Sequence, residues 1–185
     1  YKGGWVGDKR SGKGVYMWDD GSYYTGQWED DSRQGTGVMV WSDSSEYRGN
    51  WDKGLREGQG EFKSRQYNYV GTWKNDKEHG SGSCVFSNGD SYQGQFSKGA
   101  VTGTGEYKFA NGDTYKGTLR NGLANGKGVY TWADGSVYDG EWKDNLREGT
   151  GQMAWANGDS YNGEWKNDIP WGSGSMSLAD GTKFK

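Results

Sequence analysis

Tyr1, Tyr24, Tyr47, Tyr69, Tyr92, Tyr115, Tyr138 and Tyr161 recur every 23 residues, with a single 22-residue step from Tyr47 to Tyr69. Each opens a segment reading Tyr-x-Gly-x-Trp, six variable residues, Gly-x-Gly, an apolar or aromatic pair, and usually Asp-Gly or Asn-Gly. A chain with this period folds as an array of like elements, because no single short segment can bury its apolar face alone. Stability then comes from each repeat resting on the next, so three or more repeats should hold where one excised repeat does not. The repeats are 1–23, 24–46, 47–68, 69–91, 92–114, 115–137, 138–160 and 161–183, numbered here 1 to 8. Residues 184–185 read as the opening of a ninth. The whole of 1–185 is expected to be one array, cut from a longer one.

The residues within a repeat specify strands. In Tyr138-Asp139-Gly140-Glu141-Trp142 the signature residues fall on alternate positions, the period of a strand with one distinctive face. Gly149, Gly151, Met153 and Trp155 alternate in the same way, so each repeat is a β-hairpin. Asp20-Gly21, Asn88-Gly89, Asn111-Gly112, Asp134-Gly135, Asn157-Gly158 and Asp180-Gly181 are turn dipeptides that join one hairpin to the next. The expected fold is all-β: a rod-like solenoid made of one elongated, single-layer, twisted antiparallel sheet of about sixteen strands. Repeat 3 departs from the pattern, since Arg65-Gln66-Tyr67-Asn68 replaces its turn and shortens it, and a local kink or altered twist is expected there.

Composition agrees with this reading. The chain has 35 glycines, 11 tryptophans and one proline, and its aromatic residues sit on fixed positions of the repeat rather than scattered as in a disordered polar chain. The paired glycines, from Gly12 and Gly14 through Gly172 and Gly174, suggest a floor with aromatic walls. Either the array's own rings fill that groove or a partner segment lies in it. The candidate groove residues are Tyr69, Trp73, Phe86, Tyr92, Phe96, Tyr107, Phe109, Tyr115, Trp132, Tyr138 and Trp142.

The unit closely resembles the membrane occupation and recognition nexus (MORN) repeat, and the resemblance covers the whole chain. Trp5, Trp28, Trp51, Trp73, Trp142 and Trp165 hold the family's tryptophan position, while Phe96 and Leu119 replace it with other apolar side chains. The resemblance implies a non-enzymatic interaction module, most like the all-repeat cytoskeletal scaffolds of protists. Cytoskeletal or adaptor proteins are the implied partners, and the cytoplasm, in association with the cytoskeleton, the implied location. The family name also suggests a phospholipid-binding adaptor, but no polybasic cluster or amphipathic apolar face is present, so membrane association is expected to be weak or indirect.

Several chemistries are disfavoured. A net charge of -3, with lysines and acids interleaved, does not suit a nucleic-acid binder. The Gly-x-Gly pairs lack the third glycine and following helix of a dinucleotide fingerprint. His79 and Cys84 are the only histidine and cysteine, so an enzyme is not expected and no cofactor is required. Two chains together would nonetheless supply two of each, a full tetrahedral shell for an interchain zinc. Cys84 alternatively reads as a small buried hydrophobe, since other repeats place Tyr, Met or Phe at its position.

Repeat 8 differs from the rest. Asn167-Asp168-Ile169-Pro170-Trp171 reads as a loop with three bulky residues where other repeats are polar. With Met176 and Leu178 nearby, Ile169, Pro170 and Trp171 form a candidate homodimer interface, the alternative being a cap that folds Trp171 over its own sheet edge.

Overall fold

The computed structural model describes all of residues 1–185. The chain is all-β, with seventeen strands in one antiparallel sheet. No helix is long and apolar enough to cross a membrane. The strands are β1 (Lys2–Val6), β2 (Lys9–Met17), β3 (Tyr23–Glu29), β4 (Ser32–Val40), β5 (Glu46–Asp52), β6 (Leu55–Lys63), β7 (Tyr67–Lys74), β8 (Lys77–Phe86) and β9 (Ser91–Ser97). They continue with β10 (Ala100–Lys108), β11 (Thr114–Arg120), β12 (Leu123–Thr131), β13 (Val137–Lys143), β14 (Leu146–Ala154), β15 (Ser160–Lys166), β16 (Ile169–Ser177) and β17 (Lys183–Phe184). Two compact units divide the chain: residues 1–87 with 96–99, and residues 88–95 with 100–185.

In the first unit, each hairpin turns in two residues. Asp30 and Asp31 have φ of 46° and 66°, and Asn75 and Asp76 have 49° and 65°. Positive φ at both central positions defines the hairpin turn whose twist matches its strands, and Asp and Asn tolerate that region. Past the turn, Gly35 adopts φ of 60°, and the register slips between Gly26↔Gly37 and Gln27↔Gln34. The first glycine of each Gly-x-Gly pair is therefore a bulge residue rather than part of a floor.

The second glycine of the pair has another task. Gly37 pairs with Gly26 on one side and Gly49 on the other, and Gly60 pairs with Gly49 and Gly71. Tyrosine rings lie flat on this glycine ladder. A Cβ on Gly60 would stand 2.5 Å from Cε2 of Tyr47, and one on Gly82 would stand 2.5 Å from Cε2 of Tyr69. The Tyr47 hydroxyl reaches past its own glycine to donate to the Asn50 carbonyl at 2.9 Å. Its ring meets Trp51 of its own repeat at 5.1 Å and Trp73 of the next at 5.2 Å, both edge to face. This ladder of T-shaped pairs is the core, with Tyr24, Tyr47 and Tyr69 at 0% exposure.

The second unit repeats the design. Asp144 and Asn145 make the two-residue turn of repeat 7 and Asn167 and Asp168 that of repeat 8, all four at positive φ. Tyr138 lies over Gly140 and Gly151, and its ring meets Trp142 at 5.0 Å and Trp165 at 5.3 Å. Between hairpins, Trp132 N–H donates to the Ser136 carbonyl, and Gly135 N–H closes back on the Trp132 carbonyl, both at 2.9 Å. Gly135 alone of that Asp-Gly pair has positive φ, at 90°. In repeat 3 the shortened turn closes through Ser64, whose hydroxyl accepts from Gln66 N–H and Tyr67 N–H. The ladder keeps its register on both sides, with Gly60↔Gly71↔Gly82 intact, so the deleted residue is absorbed within the turn.

Burial raises the hydroxyls of Tyr24, Tyr69, Tyr115 and Tyr138 to about 12 each. In the unfolded chain they titrate near their ordinary value of about 10, so between about pH 10 and 12 the unfolded state holds fewer protons than the folded one. Stability falls as pH rises through that window. Alkaline titration should therefore produce cooperative unfolding, with tyrosinate absorbance in the near ultraviolet rising in step with loss of strand circular dichroism. Independent titration of these tyrosines with the sheet intact would contradict their burial.

Candidate functional site

The arginine ten residues into a repeat is one of the side chains that reach from one repeat to the next. Arg10, Arg33, Arg56 and Arg147 each place their guanidinium carbon over the tryptophan of the following repeat, at 4.3, 4.1, 4.2 and 4.5 Å from Trp28, Trp51, Trp73 and Trp165. Each also donates through Nη2 to a main-chain carbonyl of the following repeat's hairpin turn: Asp31, Gly54, Asp76 and Asp168. The planar guanidinium thus stacks on a ring and hydrogen bonds at its edge at once, which an ammonium does not do as well. The accompanying ion pairs, such as Arg56 to Asp76 at 3.2 Å, are half-exposed and contribute modestly.

Repeats 4, 5, 6 and 8 lack this arginine and carry Glu78, Val101, Ala124 and Pro170 instead. Two of the tryptophans facing those positions are also replaced, by Phe96 and Leu119. In the second unit a cavity of about 370 Å³ opens at this place, lined by Asp90, Tyr107, Phe109, Tyr115, Leu119, Gly122, Ala124, Tyr130, Trp142 and Asn145. Ala124 faces Leu119 across the hairpin. The Tyr130 hydroxyl donates to the Asp113 carboxylate at 2.6 Å, a bond that holds Asp113 below the usual carboxylate range. Burial, and then the Asp113 carboxylate, push the Tyr130 hydroxyl upward.

The candidate groove residues divide. Tyr69, Trp73 and Phe96 in the first unit, and Tyr92 and Tyr138 in the second, are buried in the core ladder. Phe86 and Trp132 are half-buried, the latter beside Tyr130 at 4.6 Å. Tyr107, Phe109, Tyr115 and Trp142 come together at the cavity, Tyr115 and Trp142 as buried members of the same ladder. The continuous glycine floor is covered by the chain's own tyrosines. The depressions that remain over Gly14 and Gly26, and over Gly37 and Gly49, lie on the opposite face and have walls such as Lys13, Thr25, Thr36 and Arg48 rather than aromatic ones. Alternation explains the difference, because Thr25 and Gln27 point away from the face of Tyr24 and Trp28. Sequence reasoning missed Asp90, Leu119, Ala124, Tyr130 and Asn145. Aligning the tenth position of the repeats would have found the gap.

Cys84 faces Tyr69 across the hairpin and is 3% exposed. Burial, then the Glu78 carboxylate, raises its thiol to about 11. A nucleophile or zinc ligand needs the opposite, an accessible and readily formed thiolate, so the His79 and Cys84 metal site between two chains is not supported. No group of three or more His, Cys, Asp or Glu side chains within the chain is placed to hold a metal ion.

The supposed five-residue loop of repeat 8 is a two-residue turn, Asn167 and Asp168, and Ile169, Pro170 and Trp171 begin β16. Two consecutive Asx residues at positive φ suffice for the reversal, so the bulky residues are free to be strand. Ile169 and Trp171 are 63% and 60% exposed, and Pro170 is exposed with them. Lys166 lies over the Trp171 ring at 5.0 Å. Met176 and Leu178 are half-buried, and Met176 faces Phe184 of β17.

Among solved structures, the chain is similar to the TCP domain of Drosophila melanogaster SAS-4 in complex with a proline-rich motif of Ana2, at 12% identity over 93% of this chain and 88% of that one, with a TM-score of 0.48. The TCP10c domain of Drosophila melanogaster Sas-4 gives 12% identity, coverage of 93% and 96%, and a TM-score of 0.45. The TCP10 domain of Danio rerio CPAP with a STIL peptide gives 11%, coverage of 95% and 93%, and 0.34. At these scores the likeness carries no functional argument. No curated protein matches the chain. The MORN repeat, by contrast, matches residues 1–23, 24–46, 47–68, 69–91, 92–114, 115–137, 138–160 and 161–183 in succession. With every residue of the eight hairpins accounted for in this way, the chain belongs to the MORN-repeat family.

Proposed function

We propose that this chain is a non-enzymatic protein-interaction scaffold, cytoplasmic and cytoskeleton-associated, that holds a segment of a partner protein in the aromatic cavity of its second unit. One observation carries the reading. The cavity brings Tyr107, Phe109, Tyr130 and Trp142 into one recess whose only charged lining residue is Asp90. Recessed clusters of Tyr and Trp are where binding energy concentrates in protein interfaces. Peptides selected on the immobilised chain should protect the amides around Leu119, Ala124 and Trp142 from hydrogen exchange. Protection confined to other repeats would remove the cavity from the account.

Self-association is the second part of the proposal, favoured by the adjacent exposure of Ile169, Pro170 and Trp171. Light scattering over a concentration series should find a dimer, and Ile169→Asp or Trp171→Glu should return the mass to that of the monomer. A wild-type mass that stays monomeric at every concentration would refute this interface and leave the cavity reading standing.

A further inference from the structure

We propose that the cavity beside Trp142 is a receptor for one arginine guanidinium presented by a partner protein, an inference that rests on the partner-binding reading above and specifies its chemistry. Repeat 1 shows the occupied form of the same box. There, Arg10 lies 6.0 Å from the Tyr1 centroid, 5.0 Å from Tyr16 and 4.3 Å from Trp28. Five repeats later the same positions hold Tyr115, Tyr130 and Trp142, the same three residue types, and Ala124 stands where Arg10 stood.

The rings keep their arrangement without the arginine. Tyr1 and Trp28 are 5.6 Å apart at 82°, and Tyr115 and Trp142 are 5.6 Å apart at 90°. Tyr16 and Trp28 are 6.1 Å apart at 46°, and Tyr130 and Trp142 are 6.1 Å apart at 42°. The backbone is held alike as well. Asp31 N–H donates to the Arg10 carbonyl at 3.2 Å, and Asn145 N–H donates to the Ala124 carbonyl at 3.0 Å. Asp31 Oδ1 accepts from Arg10 N–H at 2.9 Å, and Asn145 Oδ1 accepts from Ala124 N–H at 2.7 Å. The rings and the turn backbone are therefore preformed, so an incoming guanidinium would not have to order them, although neutral Asn145 stands where Asp31 gives Arg10 a carboxylate at 2.9 Å.

Charge and supply point the same way. Asp90, whose carboxylate also accepts from Ala110 N–H and Asn88 Nδ2, lines the cavity, and no basic residue does. The second unit has only two arginines, and both are engaged: Arg120 with Asp144, and Arg147 with Asp168 and Trp165. Neither arginine of the second unit is left over for this box, which leaves it open to one presented by a partner. Arginine is favoured over lysine because four occupied boxes of this chain show stacking on a tryptophan together with donation to a turn carbonyl, and the planar guanidinium satisfies both.

The test uses the full chain, isotope-labelled, with the indole N–H of Trp142 followed by NMR during titration with N-acetyl-arginine amide. The Trp142 and Tyr130 signals should move and saturate. N-acetyl-citrulline amide, neutral but of the same shape, should bind roughly tenfold more weakly or worse. Ala124→Arg, which supplies the guanidinium from within, should abolish the response and raise the denaturation midpoint. If that variant fails to fold, Ala124→Met fills the space without charge and should also abolish the response. No movement in the wild type, an equal response to citrulline or to the lysine amide, or a response that survives both substitutions would overturn the proposal. If selected peptides still protected Trp142 from exchange, the wider reading would survive that failure. If they did not while the arginine amide bound, the guanidinium site would stand, but the wider reading, and with it a partner protein as the source of the arginine, would fall.

Discussion

Gly140→Ala is expected to destabilise the chain by about 3 kcal/mol or more, at the upper end of what overpacking a core costs. The new methyl would stand 2.5 Å from the Tyr138 hydroxyl oxygen and 2.6 Å from the Gly151 Cα. The second contact is backbone of the paired strand, which cannot swing aside as a long side chain would. Moving the Tyr138 ring does not relieve the strain either, because the ring packs edge to face on Trp142 and Trp165. Gly135→Ala is the matched control: it has φ of 90° but nothing within 4 Å of the added carbon. Its cost comes from the left-handed backbone alone, about 1–2 kcal/mol. Urea denaturation of the two variants separates them, and equal midpoints would mean that the tyrosine does not rest on the glycine ladder.

Trp73→Ala is expected to cost about 3–5 kcal/mol, the range for removing a fully buried large aromatic. Trp73 is 1% exposed and joins two successive repeats of the array. Its ring takes the edges of Tyr47 from the repeat before and Tyr69 of its own, at 5.2 and 5.3 Å. Its face carries the Arg56 guanidinium, and its indole N–H donates to the Gly60 carbonyl at 3.3 Å. Truncation leaves that guanidinium without its ring, so a cycle with Arg56→Met should show coupling of about 0.5–2 kcal/mol between the two positions. Val85→Thr, on a side chain 53% exposed, should stay within about 0.5 kcal/mol. Additive losses at residues 56 and 73 would show that the stacked geometry contributes nothing of its own.

The repeat and its hairpins were legible because their signals are periodic and local: tyrosine and tryptophan on one face, glycine where the chain reverses. The in-hairpin turns were not, since Asp30-Asp31 and Asn167-Asp168 carry no glycine and conceal their positive φ in the tolerance of Asp and Asn for it. That concealment made strand residues Ile169 to Trp171 look like loop. The groove was misdrawn for a related reason. Period-two reasoning puts Gly12 and Gly14 on one face, but the first of each pair is a bulge, which breaks the alternation at the point where it was being used. The cavity was harder still to foresee. It is created by what Ala124 and Leu119 do not fill, and pattern reading follows residues that recur rather than residues that fail to.

The arginine stack also makes neighbouring repeats unequal in how firmly they hold one another. Arg10, Arg33 and Arg56 tie repeats 1 to 2, 2 to 3 and 3 to 4, and Arg147 ties 7 to 8. No such arginine stands at the links 4 to 5, 5 to 6 or 6 to 7, where Glu78, Val101 and Ala124 are found. In a nearest-neighbour description, the coupling constant of the lattice drops at those links, and an open stretch costs least free energy to start there. A ligand that replaced the missing stack would restore the coupling locally, so occupancy of one repeat would be felt as cooperativity by its neighbours.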